Sequence, residues 1–465
     1  MNLSSIRRTT AAVTVGAATL ALAACGAATA VTGTTASDST DTSSTTTTTV
    51  STTTDTAGGA SNADGTRTND FLSTFDLASL DTHYSEDDLA WDASAEQTIT
   101  LADSGSSSSS SDVTVDGSTV TITAGGLYRI SGTLTDGQLV IAAPDDAAVT
   151  IILDGASITN ADGTAIAVTS ADEATIYLED GTQNTVADGT GYEVADDSTP
   201  VAAIASASDL TIAGTGALTV TGNTNDGIST KDGLVIASGT ITVTAVDDAI
   251  RGKDYVDILD GTLDLTSGGD ALKSDNYEVV DRGWVLISGG TITVDSGDDG
   301  IDAEQAVTIA GSTLTIAKSV EGIEAQDIQI SGGTVAVTAS DDGINATHAT
   351  TAEEAAAEEA GTTADSQQNR EADDGSWISI TGGTVTVTAD FDGLDSNGAA
   401  SLTGGDITIT SAANGGDSPV DTNGDTTLDG ATLTANGTAI TSADALSSGG
   451  MGGGPGQGGG PGGGH

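Results

Sequence analysis

The chain has 465 residues, with 68 Asp and Glu against 11 Lys and Arg and a formal charge of −57. A surface that negative repels nucleic acid and anionic headgroups and favours metal ions and cationic partners, which excludes nucleic-acid binding. Aromatic residues make up 3% and there is one cysteine, so no disulfide forms within the chain and the core must come from Ile, Val, Leu and Ala.

In chain order, Arg7 and Arg8 precede an apolar stretch, Ala11 to Ala24, that is too short to span a bilayer, and Leu22-Ala23-Ala24-Cys25 follows. This resembles a bacterial lipobox. The resemblance implies a signal peptide over 1–24 and lipid on the Cys25 sulfur, hence an extracellular protein that touches the membrane only through that lipid. Residues 25–70 are a Ser/Thr-rich linker with almost nothing to bury, a flexible tether. A coil of about 40 residues reaches roughly 35 Å on average. Residues 71–96 hold Phe71, Phe75, Tyr84 and Trp91 among acids. They are expected to cap the open edge of the first strand that follows.

From Thr98 to Val220, short alternating runs such as Val149-Thr150-Ile151-Ile152-Leu153 are separated by Asp-Gly turns. From residue 222 the pattern becomes a repeat. An acid, a small residue and Ile or Leu recur as Asp226-Gly227-Ile228, Asp248-Ala249-Ile250, Asp270-Ala271-Leu272, Asp299-Gly300-Ile301, Glu321-Gly322-Ile323 and Asp342-Gly343-Ile344. The acids are spaced by 22, 22, 29, 22 and 21 residues. Each turn is followed by a Gly-Thr strand, such as Gly239 to Thr244, in which Ile and Val alternate with Thr at the two-residue period of a strand. One such unit cannot bury its apolar face, but stacked units about 4.8 Å apart enclose a continuous column. The expected fold is therefore all-β: a right-handed parallel β-helix of about 22 residues per coil over 97–442. An insertion at 346–376 contains the helix-forming run Ala352 to Ala360, and a Gly-rich disordered tail occupies 443–465.

The run from Val120 to Val140, then Ala143-Pro144-Asp145-Asp146, Leu153 to Asn160 and Asp392-Gly393-Leu394-Asp395-Ser396-Asn397-Gly398 resemble the bacterial carbohydrate-binding domain-containing proteins. The resemblance implies a calcium-binding parallel β-helix of pectate-lyase-like shape. It also implies binding of cell-wall polysaccharide such as pectin or cellulose; the chain is expected to be a monomer.

Stacking turns the repeat into columns. The turn acids Asp226, Asp248, Asp270, Asp299, Glu321 and Asp342 form one, and Ser229, Arg251, Lys273, Asp302, Glu324 and Asn345, with Asp395 after Asp392, form another. Towards the C-terminus Asp298, Asp299, Asp302, Glu321, Glu324, Asp341 and Asp342 converge. Carboxylates 4 Å apart repel by about 4 kcal/mol at an effective dielectric of 20. A calcium ion, which takes six to eight oxygens, would remove that cost, although Asp-Gly also recurs simply because it suits tight turns. Towards the N-terminus, Lys231, Arg251, Lys253, Lys273 and Arg282 supply the cations for an anionic sugar, or else neutralise the ladder. The expected function is non-catalytic, calcium-dependent polysaccharide binding at the cell surface. The alternatives are a polysaccharide lyase with Lys253 or Lys273 as base, and a structural adhesin. Outward Thr rows also resemble ice-binding surfaces, but Thr is the natural outward strand residue.

Overall fold

A computed structural model describes residues 82–194, 198–279, 282–349, 373–413 and 417–447. All lie in the second of two compact units, Ala57–His465; the first is Met1–Thr56. The signal peptide, Cys25, the tether, Phe71, Phe75, the stretch Ala352 to Ala360 and the Gly-rich tail lie outside the described residues.

Alternation in the sequence becomes alternation in burial. The strand Thr240–Ala245 buries Ile241 and Val243 and turns Thr240 and Thr244 outward. Strands of this kind join one mixed β-sheet, in which successive repeats pair in parallel along three ladders. The first ladder starts at Thr119–Ile122 and runs through Asp226–Thr230, Ile250–Gly252, Leu272–Ser274 and Ile344–Ala346 to Val420–Thr422. A second runs from Gln97–Ala102 through Tyr255–Ile258 and Trp284–Ile287 to Thr426–Leu428. The third carries the Gly-Thr strands, from Gln183–Ala187 through Thr240–Ala245 and Thr334–Ala339 to Thr432–Ala435.

Register is set by the apolar residues. Ile228, Ile250, Leu272, Ile301, Ile323, Ile344 and Leu394 are each the Cα partner of the next, and none is exposed to solvent. Full burial of such a side chain contributes roughly 1.5–3 kcal/mol, and a one-residue slip would turn every one of them outward. The two irregular steps keep this register. Leu272 pairs with Ile301, and Ile344 with Leu394, so the insertions leave between strands without shifting a partner. The small residue of the repeat is required by close approach: a Cβ on Gly343 would meet Val387 Cγ1, and the Gly393 carbonyl oxygen at 2.6 Å.

Antiparallel pairing covers three of the ladder ends. Ser107–Ser108 lies along Gln97–Ala102, Val113–Asp116 along Thr119–Ile122, and Thr438–Ile440 along Thr432–Ala435. The part of the aromatic segment that the structure describes is residues 82–96. It runs along the outer side of the second ladder. Trp91 meets Tyr177 edge-on at 4.7 Å, and Tyr84 packs on a cluster of Val235, Tyr255, Trp284, Leu286 and Ala306. His83 reaches Tyr255 Oη at 2.7 Å and Thr211 Oγ1 at 2.8 Å. The stacked Tyr255 and Trp284 rings, 4.6 Å apart, offer it an apolar seam to cover.

Truncating Ile301, at the centre of the apolar column, is expected to lower stability by about 2–5 kcal/mol. Chemical denaturation of Ile301→Ala checks this, and a loss below about 1 kcal/mol would show that the column relaxes around a cavity. Gly343→Val is expected to destabilise through overpacking against Val387, by about 1–3 kcal/mol in the same measurement.

Candidate functional site

The first ladder presents its outward side chains as a file. Ser229, Arg251, Lys273, Asp302, Glu324, Asn345, Asp395 and Asp421 are each the Cα partner of the next. Beside it runs the file of turn acids. Asp248 Oδ1 accepts the backbone N–H of Asp270 at 2.9 Å, Asp270 Oδ1 that of Asp299 at 2.9 Å, and Asp299 Oδ1 that of Glu321 at 2.9 Å. After the insertion, Asp342 Oδ1 accepts from Asp392 at 2.7 Å, and Asp392 Oδ1 from Ser418. One oxygen of each of these carboxylates thus holds the next turn in place. The other is left to neighbours in the groove, together with the second lone pair of the first.

The cations expected to hold an anionic sugar are engaged within the chain. Lys273 Nζ lies 2.5 Å from Asp270 Oδ2 and 3.0 Å from Asp302 Oδ2. Arg251 pairs with Asp275 at 2.7 Å, and Lys253 with Glu278 at 2.8 Å. Arg282 is 3.6 Å from Asp254 and stands over the Tyr255 ring on the second ladder. Lys231 follows the strand Asp226–Thr230, one repeat before Lys253. The five residues therefore do not converge on one point: Arg251 and Lys273 belong to the outward file, and Arg282 to the aromatic flank. A cavity of about 290 Å³ lies over the former, lined by Asp226, Asp248, Arg251, Asp270, Lys273 and Asp298 among others.

Past Lys273 the file is acidic. Carboxylate oxygens of Asp270, Asp298 and Asp299 lie within 4.8 Å of one another, as do those of Asp299, Glu321 and Glu324, and those of Asp342, Asp392 and Asp395. Burial, reinforced by adjacent carboxylates, pushes Asp226 and Asp342 up to about 6, and Asp248, Asp392 and Asp395 up to about 7. The same causes push Asp299 up to about 8 and Glu324 up to about 10, and they raise Asp302 and Asp341. Asn345 donates Nδ2–H to Glu321 Oε2 at 2.9 Å, while its buried Oδ1 has no hydrogen-bond partner. Carboxylates crowded together beside an unpartnered amide carbonyl form an all-oxygen donor set. That set fits a hard cation such as calcium, which would be held by Asp299, Glu321, Glu324 and Asn345, and by Asp342, Asp392 and Asp395.

Two groupings carried no signal in the repeat. Asp232 is pushed up to about 6 by burial and by Asp209 and Asp254, which stand near it from turns leading into the second ladder. A cavity of about 200 Å³ opens beside Asp302 and Glu324, with Gln326, Thr347 and His348 on its wall. The two latter lie at the start of the insertion, where periodicity stops. Their proximity to the acids comes only from the pairing of Ile323 with Ile344.

The carbohydrate-binding domain-containing protein model matches residues 116–353 and 317–453, more than half of the chain, so this protein belongs to that family. A carbohydrate-binding domain-containing protein of Acetivibrio thermocellus is 35% identical over 128 residues, covering 27% of this chain. The chain spans 45% of that relative's length. A solved structure described as the polysaccharide lyase-like protein from C. thermocellum, as a gadolinium derivative, is 34% identical with a TM-score of 0.49. It is matched over 96% of its length and 50% of this chain.

Raised acids bind their protons more tightly folded than unfolded. The folded state therefore carries extra protons between the ordinary carboxylate range near 4 and about 8, and stability falls as pH rises through that window. Thermal melts in chelator are expected to give a lower midpoint at pH 8 than at pH 5, and an equal or higher midpoint at pH 8 would contradict this. Lys273→Met leaves Asp270 and Asp302 facing each other without their ammonium. A loss of about 3–5 kcal/mol is expected at pH 8, shrinking as pH falls, because burial raises Asp302 and eases its protonation.

Proposed function

We propose that this protein is a non-catalytic polysaccharide-binding module. Its ladders are wound as a right-handed parallel β-helix, and calcium held by the acidic half of the first ladder's outward file helps to bind an acidic or cell-wall glycan. The observation that carries this reading is the unbroken file of Asp302, Glu324, Asn345 and Asp395 on successive repeats, beside carboxylate clusters with no ammonium or guanidinium ion-paired to Glu324 or Asp395 among the described pairs. Right-handed winding follows from the strong preference for right-handed crossovers between parallel strands. A divalent ion there would leave coordination positions for a uronate carboxylate or sugar hydroxyls from the ligand. Secretion and a lipid on Cys25 complete the proposal and would put the module at the cell surface.

The surroundings of the lysines favour binding over elimination chemistry. A lyase base must be neutral to take a proton. Lys273, between Asp270, Asp302 and Asp248, and Lys253, hydrogen-bonded to Glu278, are both held more firmly as ammonium than a free lysine.

Terbium luminescence and calorimetry on chelator-stripped protein are expected to report saturable binding that Glu324→Gln and Asp395→Asn each weaken at least tenfold, about 1.4 kcal/mol. Polygalacturonate retention on an affinity gel is expected to need calcium. No calcium heat and no thermal shift on calcium addition would sink the metal reading. New absorbance from unsaturated sugar ends on incubation with polygalacturonate would overturn the non-catalytic one.

A further inference from the structure

Residues 82–96 lie along the second ladder as a strap held at its two ends. At one end Arg129 binds Glu96 at 2.6 Å and, on the body, Glu179 at 2.6 Å and Asp154 at 3.2 Å, with Trp91 against Tyr177 nearby. At the other, His83 donates its backbone N–H to Tyr255 Oη at 3.0 Å, and its ring nitrogens reach Asp209 Oδ1 at 3.2 Å and Thr211 Oγ1 at 2.8 Å. Between these ends the hydrogen bonds among the described residues stay within the strap, as from Asp87 to Ser85 and from Ser94 to Asp92, and neither of its short helical turns buries a residue. A segment pinned in this way opens more readily than the strands beneath it.

The two ends differ in chemistry. A guanidinium keeps its charge throughout, and its hydrogen bond to Glu96 holds that carboxyl below the usual range. Histidine is instead the side chain that ordinarily changes charge between pH 5 and 8. The strap carries Glu86, Asp87, Asp88, Asp92 and Glu96, and His83 is its one basic residue. Around His83 the body presents Glu173, Asp209, Asp232, Asp254, Asp257 and Tyr255, with Arg282 over the Tyr255 ring as the fixed cation, and the strap adds Tyr84, Glu86 and Asp88. An imidazolium there offsets part of the negative charge. A neutral ring leaves acid facing acid.

Asp257 adds to this balance. It is the Cα partner of Val235 and Leu286, two members of the cluster on which Tyr84 packs, and it is 4% exposed with no hydrogen-bond partner on Oδ1. Burial pushes it up to about 7, against the pull of His83. A group raised in the folded state stabilises below that value and ceases to do so as pH rises through it. Deprotonation of Asp257 and loss of the imidazolium charge therefore act in one direction, and both loosen the strap as pH rises.

We infer that residues 82–96 are a pH-released strap, docked over the Tyr255 and Trp284 seam in mild acid by the His83 imidazolium and freed at its N-terminal limb in mild alkali, with Arg129 and Glu96 as the hinge. Release would bare the aromatic seam while the ladders keep their pairing.

The test is hydrogen exchange read by mass spectrometry on the full chain in chelator, at pH 5 and pH 8, with rates corrected for the intrinsic pH dependence of amide exchange. A peptide spanning residues 82–91 is expected to exchange about tenfold faster at pH 8, and a peptide containing Ile301 to change less. In His83→Gln and in Asp257→Asn the pH difference of the strap is expected to shrink roughly threefold, the first by faster exchange at pH 5 and the second by slower exchange at pH 8. Slow exchange of the Ile301 peptide verifies that both variants are folded. The inference is overturned if the strap of the unaltered protein exchanges alike at the two pH values, if it changes only in step with the Ile301 peptide, or if either variant keeps the full pH difference.

Discussion

Everything in this molecule hangs on parallel backbone pairing between residues one repeat apart. Because Ile228 pairs with Ile250 and so on to Leu394, every side chain of the repeat meets its own equivalent above and below. The inward positions gain from this, since like apolar residues stack into a dry column. The outward positions inherit the same periodicity whether or not it suits them, and for acids it does not. The groove's electrostatics are the unavoidable counterpart of the core's order.

The chain meets that cost in two ways. One carboxylate oxygen of Asp248, Asp270, Asp299, Asp342 and Asp392 accepts a backbone N–H from the next turn, which converts a charge liability into a tie between repeats. Such charge-assisted bonds to backbone amides favour the ionised form, and burial opposes them. Burial prevails at Asp248, Asp299, Asp342 and Asp392, which stand above the usual carboxylate range. A ligand to the remaining oxygens would therefore act on the same residues that hold the turns.

Much of this was legible from residue spacing. The outward file from Ser229 to Asp395 follows from the positions of the Asp-Gly-Ile turns, because a regular period fixes which residues become neighbours. The steps of 29 and 50 residues did not hide it, since the Ile and Leu of the turn mark where register resumes. What spacing could not reveal was how a side chain divides its atoms. Asp270 reads as one acid among six, yet one of its oxygens serves a backbone amide and the other an ammonium. Residues 82–96 were legible only in part for a related reason: an aromatic-rich segment advertises that it will cover something, but a residue it meets lies 172 positions away at Tyr255. The small cavity was invisible because His348 belongs to no repeat.

Lys273 gives the groove an asymmetry in time as well as in charge. An ion in solution arrives and leaves according to its concentration, whereas an ammonium tethered by its own backbone between Asp270 and Asp302 is present at an effective concentration no medium can dilute. That rung is permanently loaded. Under the proposed reading, the described rungs beyond it are those whose occupancy would follow the surroundings, so a single lysine would divide one continuous ladder into a part that is constant and a part that answers to the salt outside.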